Sequence, residues 1–188
     1  MNDLSPIAKY LCDQIDIASE HIPSIASETD HASTLIVDAL LNDKKLLVCG
    51  LGFANPIAQI ISSAFIDQYE FERPGFPAIN IDLDSLNSDT PSANMIAKQI
   101  QAMGMESDVL VLISIGDEHK SFEEALTTAR EKGIKTLLIN GSEDATNYMT
   151  DALIKLPTNS ISNGLQLAIF ACNALIKSVE SKLFGAAL

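Results

Sequence analysis

The fold is decided by the stretch Leu46-Leu47-Val48-Cys49-Gly50-Leu51-Gly52-Phe53-Ala54-Asn55-Pro56. Its first four residues are an unbroken apolar run, which is typical of a strand buried on both faces in a parallel sheet. The two glycines then allow a sharp turn, Asn55 can cap a helix and Pro56 suits the first helical position. The stretch therefore predicts a strand, a tight loop and a helix, the first unit of an α/β sheet.

Four more short apolar runs follow along the chain, at residues 78–81, 109–113, 136–139 and 152–154. Helical patterns separate most of these runs, at residues 56–67, 93–103 and 122–132, and a long last helix covers about 165–183. Alternating strands and helices predict a doubly wound α/β fold, a five-stranded parallel sheet flanked by helices.

The first forty residues carry a helical pattern instead of strands. Apolar residues recur at three- and four-residue steps from Leu4 to Ile22, which places them on one face of a helix. Pro23 predicts a break at that point, because proline cannot donate a helical hydrogen bond. A second helix is expected to run on through Leu40, and Asn42-Asp43 supplies the turn after it.

The length of 188 residues suits one domain. We predict a single domain over residues 1–188, with a helical part at 1–43 and the α/β core with the last helix at 44–188. Twelve Lys and Arg residues against 25 Asp and Glu give a net charge of −13. This charge argues against direct binding of nucleic acid and against an anionic membrane surface.

Three cysteines, Cys12, Cys49 and Cys172, lie far apart in the sequence. They have neither the spacing of a metal site nor that of a disulfide framework, so reduced thiols are expected. No signal-peptide pattern begins the chain, and no apolar run approaches the ~18 residues of a membrane span. We expect a cytoplasmic protein with no metal site and no cofactor.

Two helices are too apolar for ordinary surface helices, those at residues 57–66 and 165–179. A helix that is apolar nearly all round must be covered on more than one side. The sheet covers one side, and a second copy of the chain would cover another, which predicts a homo-oligomer. The alternative is that other parts of the same chain enclose both helices.

The loop Gly50-Leu51-Gly52-Phe53-Ala54 lies where open α/β sheets bind ligands, beyond the carboxyl end of a strand. A glycine-rich turn before a helix N-terminus can hold a phosphate. Residues 51–54 supply neither a hydroxyl nor a cation, however. A plain tight turn is therefore the favoured interpretation of this loop, and a phosphate-binding turn is the alternative.

A second loop also follows the carboxyl end of a predicted strand, the apolar run at 109–113. It is Ser114-Ile115-Gly116-Asp117-Glu118-His119-Lys120-Ser121. Asp117 and Glu118 lie at a predicted helix N-terminus, where they satisfy the helix dipole and repel a phosphate. His119 is a candidate base or ligand, because its imidazole titrates near neutral pH. A solvated loop histidine is the alternative.

Several motifs match a known family in order along the chain. They are Leu40-Leu41-Asn42-Asp43-Lys44-Lys45-Leu46-Leu47-Val48-Cys49-Gly50-Leu51-Gly52, Glu72-Arg73-Pro74-Gly75-Phe76-Pro77-Ala78-Ile79, Asp108-Val109-Leu110-Val111-Leu112-Ile113-Ser114 and Ala129-Arg130-Glu131-Lys132-Gly133. These motifs resemble the phosphoheptose-isomerase branch of the SIS (sugar isomerase) domain family. The resemblance covers almost the whole chain and implies the SIS-type sheet.

The functional motifs of that branch are altered in this chain. The asparagine and serine of its phosphate loop correspond to Leu51 and Ala54, and its metal ligand and glutamate correspond to Ile57 and Ser63. Isomerisation needs a base that moves a proton between adjacent carbons, and no such group remains at these positions. The resemblance therefore implies a degenerate phosphosugar site without catalytic residues or metal. Its loop positions are Gly50, Gly52, Phe53, Ala54, Ser114, Ile115, Gly116, Asp117, Glu118 and His119.

Within this branch, residues 22–42, residues 98–104 and the ending Leu183-Phe184 resemble the DnaA initiator-associating (DiaA) proteins. This resemblance implies a non-enzymatic homotetramer that binds the replication initiator DnaA and promotes its assembly at the origin. Leu183 and Phe184 are the predicted partner-binding residues, unless Phe184 packs on its own subunit. The alternative function is a phosphoheptose isomerase acting on sedoheptulose 7-phosphate, or an SIS protein that binds a sugar phosphate at a degenerate site.

Overall fold

A parallel sheet with the strand order β2-β1-β3-β4-β5 forms the centre of the molecule. The computed structural model describes residues 5–81, 92–115, 119–141, 147–158 and 160–185. In these residues the strands are Leu46–Gly50 (β1), Ala78–Asn80 (β2), Val109–Ser114 (β3), Lys135–Asn140 (β4) and Ala152–Lys155 (β5). The helices are Pro6–Leu41 (α1), Asn55–Ile66 (α2), Ser92–Met103 (α3), His119–Glu131 (α4) and Ile161–Phe184 (α5). The predicted doubly wound α/β fold is confirmed.

Two helical layers cover the two faces of the sheet. Leu46 and Val48 of β1 face the layer of α1, α2 and α5. Leu47 and Cys49, which alternate with them, face the layer of α3 and α4. Every residue of β1 and β3 is buried, which is why these strands are continuous apolar runs in the sequence.

Pro23 lies inside one continuous helix, so the prediction of two helices with a break at this residue is wrong. Proline removes the hydrogen bond to the carbonyl four residues earlier, which belongs to Ser19, an exposed residue that water can reach. Beyond Pro23 the helix is held by tertiary contacts. The Ser33 and Ser178 hydroxyls lie 2.8 Å apart, and Glu28 accepts a hydrogen bond of 2.7 Å from the Lys155 amide. Such contacts outweigh a proline penalty of about 3 kcal/mol.

The elements otherwise begin and end within a few residues of their predicted positions. The largest differences are at helix starts: α5 begins at Ile161 and α4 at His119, each a few residues earlier than the apolar pattern indicates. Residues 142–146, between β4 and β5, lie outside the described residues. In the part of the chain that the structure describes, no helix is long and apolar enough to cross a membrane.

Candidate functional site

The carboxyl ends of β1 and β3 lie side by side at the point where the strand order reverses. Open α/β sheets bind ligands in the crevice at such a point. The amide of Leu51, the first residue after β1, donates a hydrogen bond of 3.0 Å to the carbonyl of Ile113 in β3. The structure therefore brings the bases of the two predicted loops together.

The first loop is a single tight turn. A Cβ atom on Gly50 would lie 2.2 Å from the carbonyl oxygen of Ala54, so only glycine fits this close approach. Gly52 has a φ of 54°, a conformation that glycine adopts without strain. Ala54 is fully buried, and Phe53 is 67% exposed. The glycines therefore shape the turn, and the Phe53 ring is the side chain that the loop presents to solvent.

Two asparagine side chains beside this loop have a buried oxygen without a hydrogen-bond partner: Oδ1 of Asn55 and Oδ1 of Asn80. Asn55 is the first residue of α2 rather than its predicted cap, and Ala54 takes the cap position without a side-chain hydrogen bond. Asn80 is the last residue of β2. Unpaired buried carbonyl oxygens are rare and call for a donor such as water or a ligand hydroxyl. The Asn80 side chain was missed in the sequence, although a polar residue inside an apolar run is a recognisable signal.

The second loop begins in a closely packed environment. Ser114 ends β3, is fully buried and pairs in register with Asn140 of β4. The next residue, Ile115, packs against two glycines. A Cβ atom on Gly141 would lie 2.8 Å from the Ile115 carbonyl oxygen, and one on Gly164 would lie 2.4 Å from its Cγ2 atom. Through Ile115, the end of β3 is in contact with the start of α5.

The remaining predicted residues of the second loop are only partly described. Gly116, Asp117 and Glu118 lie outside the described residues, as does the side chain of His119. The backbone of His119 begins α4, which places this residue at the carboxyl edge of the sheet, four positions beyond Ile115, the last described residue after β3.

The N-terminus of α5 carries a group of hydroxyls that is not among the predicted site residues. Thr158, Ser160 and Ser162 lie there, and the Ser160 amide donates a hydrogen bond of 3.1 Å to the Thr158 hydroxyl. Ser160 takes the cap position without a side-chain capping bond. The Ser162 hydroxyl lies 3.5 Å from that of Ser160 and 3.4 Å from that of Tyr10. Serines before a long apolar run are a recognisable helix-start signal.

These hydroxyls supply the hydrogen-bond donors that the side chains of the first loop lack. A helix N-terminus carries a partial positive charge and unpaired amides, and it favours anions. Because Gly164 of the same helix contacts Ile115, the hydroxyls lie at the same edge of the sheet as the two predicted loops. The arrangement offers hydrogen-bond donors for an anionic group such as a phosphate.

A carboxyl group with a shifted pKa lies near the end of β5. Burial raises the pKa of Glu28. Two interactions with Lys155 offset part of this rise: a hydrogen bond from its backbone amide and the positive charge of its side chain. Among the described residues, no group of three or more His, Cys, Asp or Glu side chains could hold a metal ion.

The family model described as SIS domain matches residues 9–141. This chain belongs to the SIS domain family. Phosphoheptose isomerase from Halorhodospira halophila is 28% identical to this SIS protein and covers 98% of each chain. Phosphoheptose isomerase 2 from Campylobacter jejuni is 30% identical over 82% of this chain and 80% of its own. The solved structure of a phosphoheptose isomerase from Francisella tularensis superimposes with a TM-score of 0.82 at 26% identity, over 96% of this chain and 100% of that chain.

These relatives correct the functional prediction. The prediction of a non-enzymatic DiaA-like protein that binds DnaA at the replication origin is wrong. The relatives that match this SIS domain from end to end are named phosphoheptose isomerases, and the similar solved structure at 26% identity is one as well. They favour the alternative, a phosphoheptose isomerase or a sugar-phosphate-binding SIS protein. The prediction erred because it gave more weight to a few altered loop residues than to similarity along the whole chain.

The residues predicted to bind a protein partner lie at the end of α5. Leu183 packs against the core on the α1, α2 and α5 side. The Phe184 ring stacks on Phe76 with centroids 5.9 Å apart and meets the edge of Phe71 at 5.7 Å. Phe184 thus packs on its own subunit, although 45% of its surface stays exposed.

Proposed function

We propose that this SIS protein binds a sugar phosphate at the carboxyl edge of its sheet and interconverts the ketose and aldose forms, with sedoheptulose 7-phosphate as the substrate. The observation that carries this proposal is the end-to-end similarity to phosphoheptose isomerases, 28% identity over 98% of both chains. A match of this extent includes every element that surrounds the crevice between β1 and β3.

The phosphate of the substrate would be held at the start of α5. The hydroxyls of Ser160 and Ser162 supply donors at the positive end of a 24-residue helix. The first loop supplies no hydroxyl or cation, so in this chain the phosphate-binding role moves from that loop to α5. The buried oxygens of Asn55 and Asn80 are acceptors suited to sugar hydroxyls.

The isomerisation removes a proton from the hydroxyl-bearing carbon next to the carbonyl and delivers one to the carbonyl carbon, while the hydroxyl proton passes to the former carbonyl oxygen. It therefore needs a base whose pKa lies near the working pH. Helix α2 carries no acidic residue and no histidine; Ile57 and Ser63 stand where the branch has its metal ligand and glutamate. We assign the base role to His119 at the start of α4, because a histidine is half ionised near pH 6.5. The reaction is redox-neutral, so this proposal includes no cofactor.

A second candidate function is binding of the same sugar phosphate without turnover. The specific observation in its favour is the composition of α2, where small and apolar residues replace the acid–base groups of the branch. In that case the protein would report the concentration of a sugar phosphate instead of converting it.

The test is to add sedoheptulose 7-phosphate to the purified protein and to measure both the melting temperature and the appearance of the aldose phosphate. The proposal expects a higher melting temperature and turnover. The double variant Ser160→Ala with Ser162→Ala should weaken binding at least about tenfold, since charge-assisted hydrogen bonds contribute about 1.5–3 kcal/mol each. The matched control is Thr127→Ala, which deletes an exposed hydroxyl on α4. This variant should bind the ligand normally.

The variant His119→Gln separates the two candidate functions. An isomerase with this base should lose turnover and keep the thermal stabilisation. Stabilisation of the wild type without any turnover would support the binding function instead. The absence of both effects at millimolar ligand would contradict both candidates.

The cytoplasmic location expected from the sequence is part of the same proposal. Cys12, Cys49 and Cys172 are all free thiols, which a reducing compartment keeps in that state.

A further inference from the structure

A groove lies along the amino edge of the sheet, at the opposite end of the strands from the candidate site. Its volume is about 810 Å³, within the range of pockets that hold small molecules. One wall is the second half of α1, from His31 to Asn42. The other wall consists of residues that precede or begin four of the strands, which are Lys44, Ser107, Lys135 and Asp151. We call this cavity the amino-edge groove.

The amino-edge groove is long because α1 crosses the amino ends of the strands. At one end, Nε2 of His31 lies 3.3 Å from the carbonyl oxygen of Asp151, just before β5. At the other end, Asn42 and Lys44 lie just before β1. The helix rises about 16 Å from His31 to Asn42. The groove therefore has room for a molecule with several functional groups.

Two side chains of opposite charge at the β1 end of the groove have no ionic partner. Asp38 is exposed and Lys44 is half-buried, and among the described residues neither of them forms an ion pair, with the other or with a third group. At the other end, Lys135 and Asp151 neutralise each other at 3.1 Å. The groove therefore offers one free anion and one free cation.

The backbone at the end of α1 holds these groups in place. The amides of Asn42 and Lys44 both donate hydrogen bonds of 3.0 Å to the carbonyl of Ala39. The side-chain Nδ2 of Asn42 donates a hydrogen bond of 2.6 Å to the carbonyl of Asp38, so its Oδ1 is left to accept one. Ser107, with a φ of 69°, adds a hydroxyl at the start of the neighbouring strand. Charged and neutral polar groups thus converge on one end of the groove.

The balance of charge selects the class of ligand. A simple anion would meet Asp38 and the net charge of −13, and a metal cation would meet Lys44. A molecule that carries both charges can satisfy both residues. The C-terminal end of α1 adds partial negative charge beside Asp38, which favours an ammonium group there. Leu35 and Ala39 supply apolar surface on the same wall.

We propose that the amino-edge groove binds a small zwitterion with a free ammonium and a free carboxylate, an α-amino acid or a short peptide. The carboxylate of Asp38 and Oδ1 of Asn42 accept hydrogen bonds from the ammonium group. The ammonium of Lys44 and the hydroxyl of Ser107 donate to the carboxylate, in charge-assisted contacts. The apolar part of the ligand lies along Leu35. This site is separate from the sugar-phosphate site proposed above.

The test follows the backbone amide signals of the protein by NMR while one probe at a time is added at millimolar concentration. L-leucine and the dipeptide glycyl-leucine are the zwitterionic probes. Each should shift the signals of Asn42, Lys44 and Ser107 and leave those at the start of α5 unchanged. The tighter of the two probes identifies the ligand as a free amino acid or as a peptide.

Two matched probes carry only one of the charges. Isocaproate is leucine without its ammonium group, and isoamylamine is leucine without its carboxylate. Each should bind at least about tenfold more weakly than leucine, the factor expected for the loss of one charge-assisted hydrogen bond. Asp38→Asn should weaken leucine binding to a similar degree and leave isocaproate binding unchanged. Lys44→Met should weaken leucine binding and leave isoamylamine binding unchanged.

Asp13→Asn and Lys98→Met are the control variants, since they remove exposed charges of the same kinds elsewhere on the surface. Both should bind leucine as the wild type does, and so should the double variant Ser160→Ala with Ser162→Ala. No amide shift with either zwitterionic probe would overturn the proposal. Binding of isocaproate or inorganic phosphate as tight as that of leucine would overturn it as well, because the groove would then be a simple anion site.

Discussion

The guanidinium of Arg73 and the carboxylate of Glu180 form a buried ion pair, with Nε of the arginine 2.7 Å from Oε1 of the glutamate. Arg73 also donates hydrogen bonds to the carbonyls of Ala64 and Phe65 at the end of α2, and its guanidinium lies over the Phe76 ring. One side chain thus connects the end of α2, the segment before β2 and the C-terminal part of α5. The three elements are positioned relative to one another by a single buried cation.

We expect Arg73→Leu to lower the free energy of unfolding by about 3–5 kcal/mol, because it leaves the Glu180 carboxylate buried without a partner. Urea unfolding followed by circular dichroism measures the change. Lys177→Ala is the matched control, since Lys177 and Glu70 form an ion pair that is exposed to solvent. The control should leave the unfolding midpoint almost unchanged, and equal losses in both variants would contradict the interpretation.

Replacement of Gly50 should be far more damaging than replacement of Gly185. A Cβ atom at position 50 overlaps a backbone carbonyl, whereas one at position 185 meets nothing within 4 Å and only a φ of 68° opposes it. Gly185→Ala should therefore destabilise by about 1–2 kcal/mol. Gly50→Ala should shift the whole first loop, and its loss of stability should exceed that of Gly185→Ala in the same urea measurement. Similar losses would show that the turn adapts to a side chain.

The three thiols should differ strongly in reactivity. Cys12 is exposed, whereas Cys49 and Cys172 are buried, and burial raises the pKa of the Cys172 thiol far above its ordinary value. Only the thiolate reacts with alkylating agents. Iodoacetamide at pH 8 should therefore add one group to the native protein, at Cys12, and three groups in urea, as intact mass will report. Fast modification of Cys172 in the native state would contradict its burial.

The stability of a Glu28→Gln variant relative to wild type should increase with pH. Burial raises the pKa of Glu28 in the folded protein, so the folded state favours the protonated form. The stabilising effect of that proton is fully present below the unfolded pKa of about 4.3 and is lost as the pH rises through the folded pKa. Urea midpoints at pH 4 and pH 7 measure the trend, and a gain for the variant only at pH 4 would contradict it.

Asp151→Asn should show the opposite trend. Burial alone would raise the pKa of Asp151, but hydrogen bonds from Thr136 and Lys135 outweigh burial and lower it. The ionised form therefore stabilises the folded state above the unfolded pKa, and this contribution is lost as the pH falls through the folded pKa. The variant should be less stable by about 1 kcal/mol at pH 7 after solvent screening. The difference should vanish in acid, and a difference that persists at pH 3 would argue against this origin.

The sheet could be predicted from the sequence because its central strands are buried on both faces and therefore read as unbroken apolar runs, as in Val109–Ser114. The continuous helix through Pro23 could not, because it depends on contacts with α5 and β5 that the local sequence does not contain. Local propensity predicts a break at Pro23, whereas tertiary packing keeps the helix continuous.

In the candidate site, too, features set by the local sequence could be predicted and features set by tertiary contacts could not. Gly50 and Gly52 could be identified because a tight turn needs glycine whatever surrounds it. Ser160 and Ser162 could not be assigned to the site, because their relevance depends on the contact between Gly164 and Ile115, two residues far apart in the chain. The prediction of a non-enzymatic protein was wrong for a related reason, since the residues at Ile57 and Ser63 were given more weight than the similarity to phosphoheptose isomerases along the whole chain.

The tight turn after β1 has an evolutionary consequence. Its course is set by two glycines and by the hydrogen bond from the Leu51 amide to Ile113, and none of these depends on the exposed side chain at position 53. Such a loop separates architecture from chemistry: the side chain at position 53 can change while the scaffold is inherited intact. A lineage with this turn can alter the surface beside the crevice by substitution at that position, without passing through an unfolded intermediate sequence.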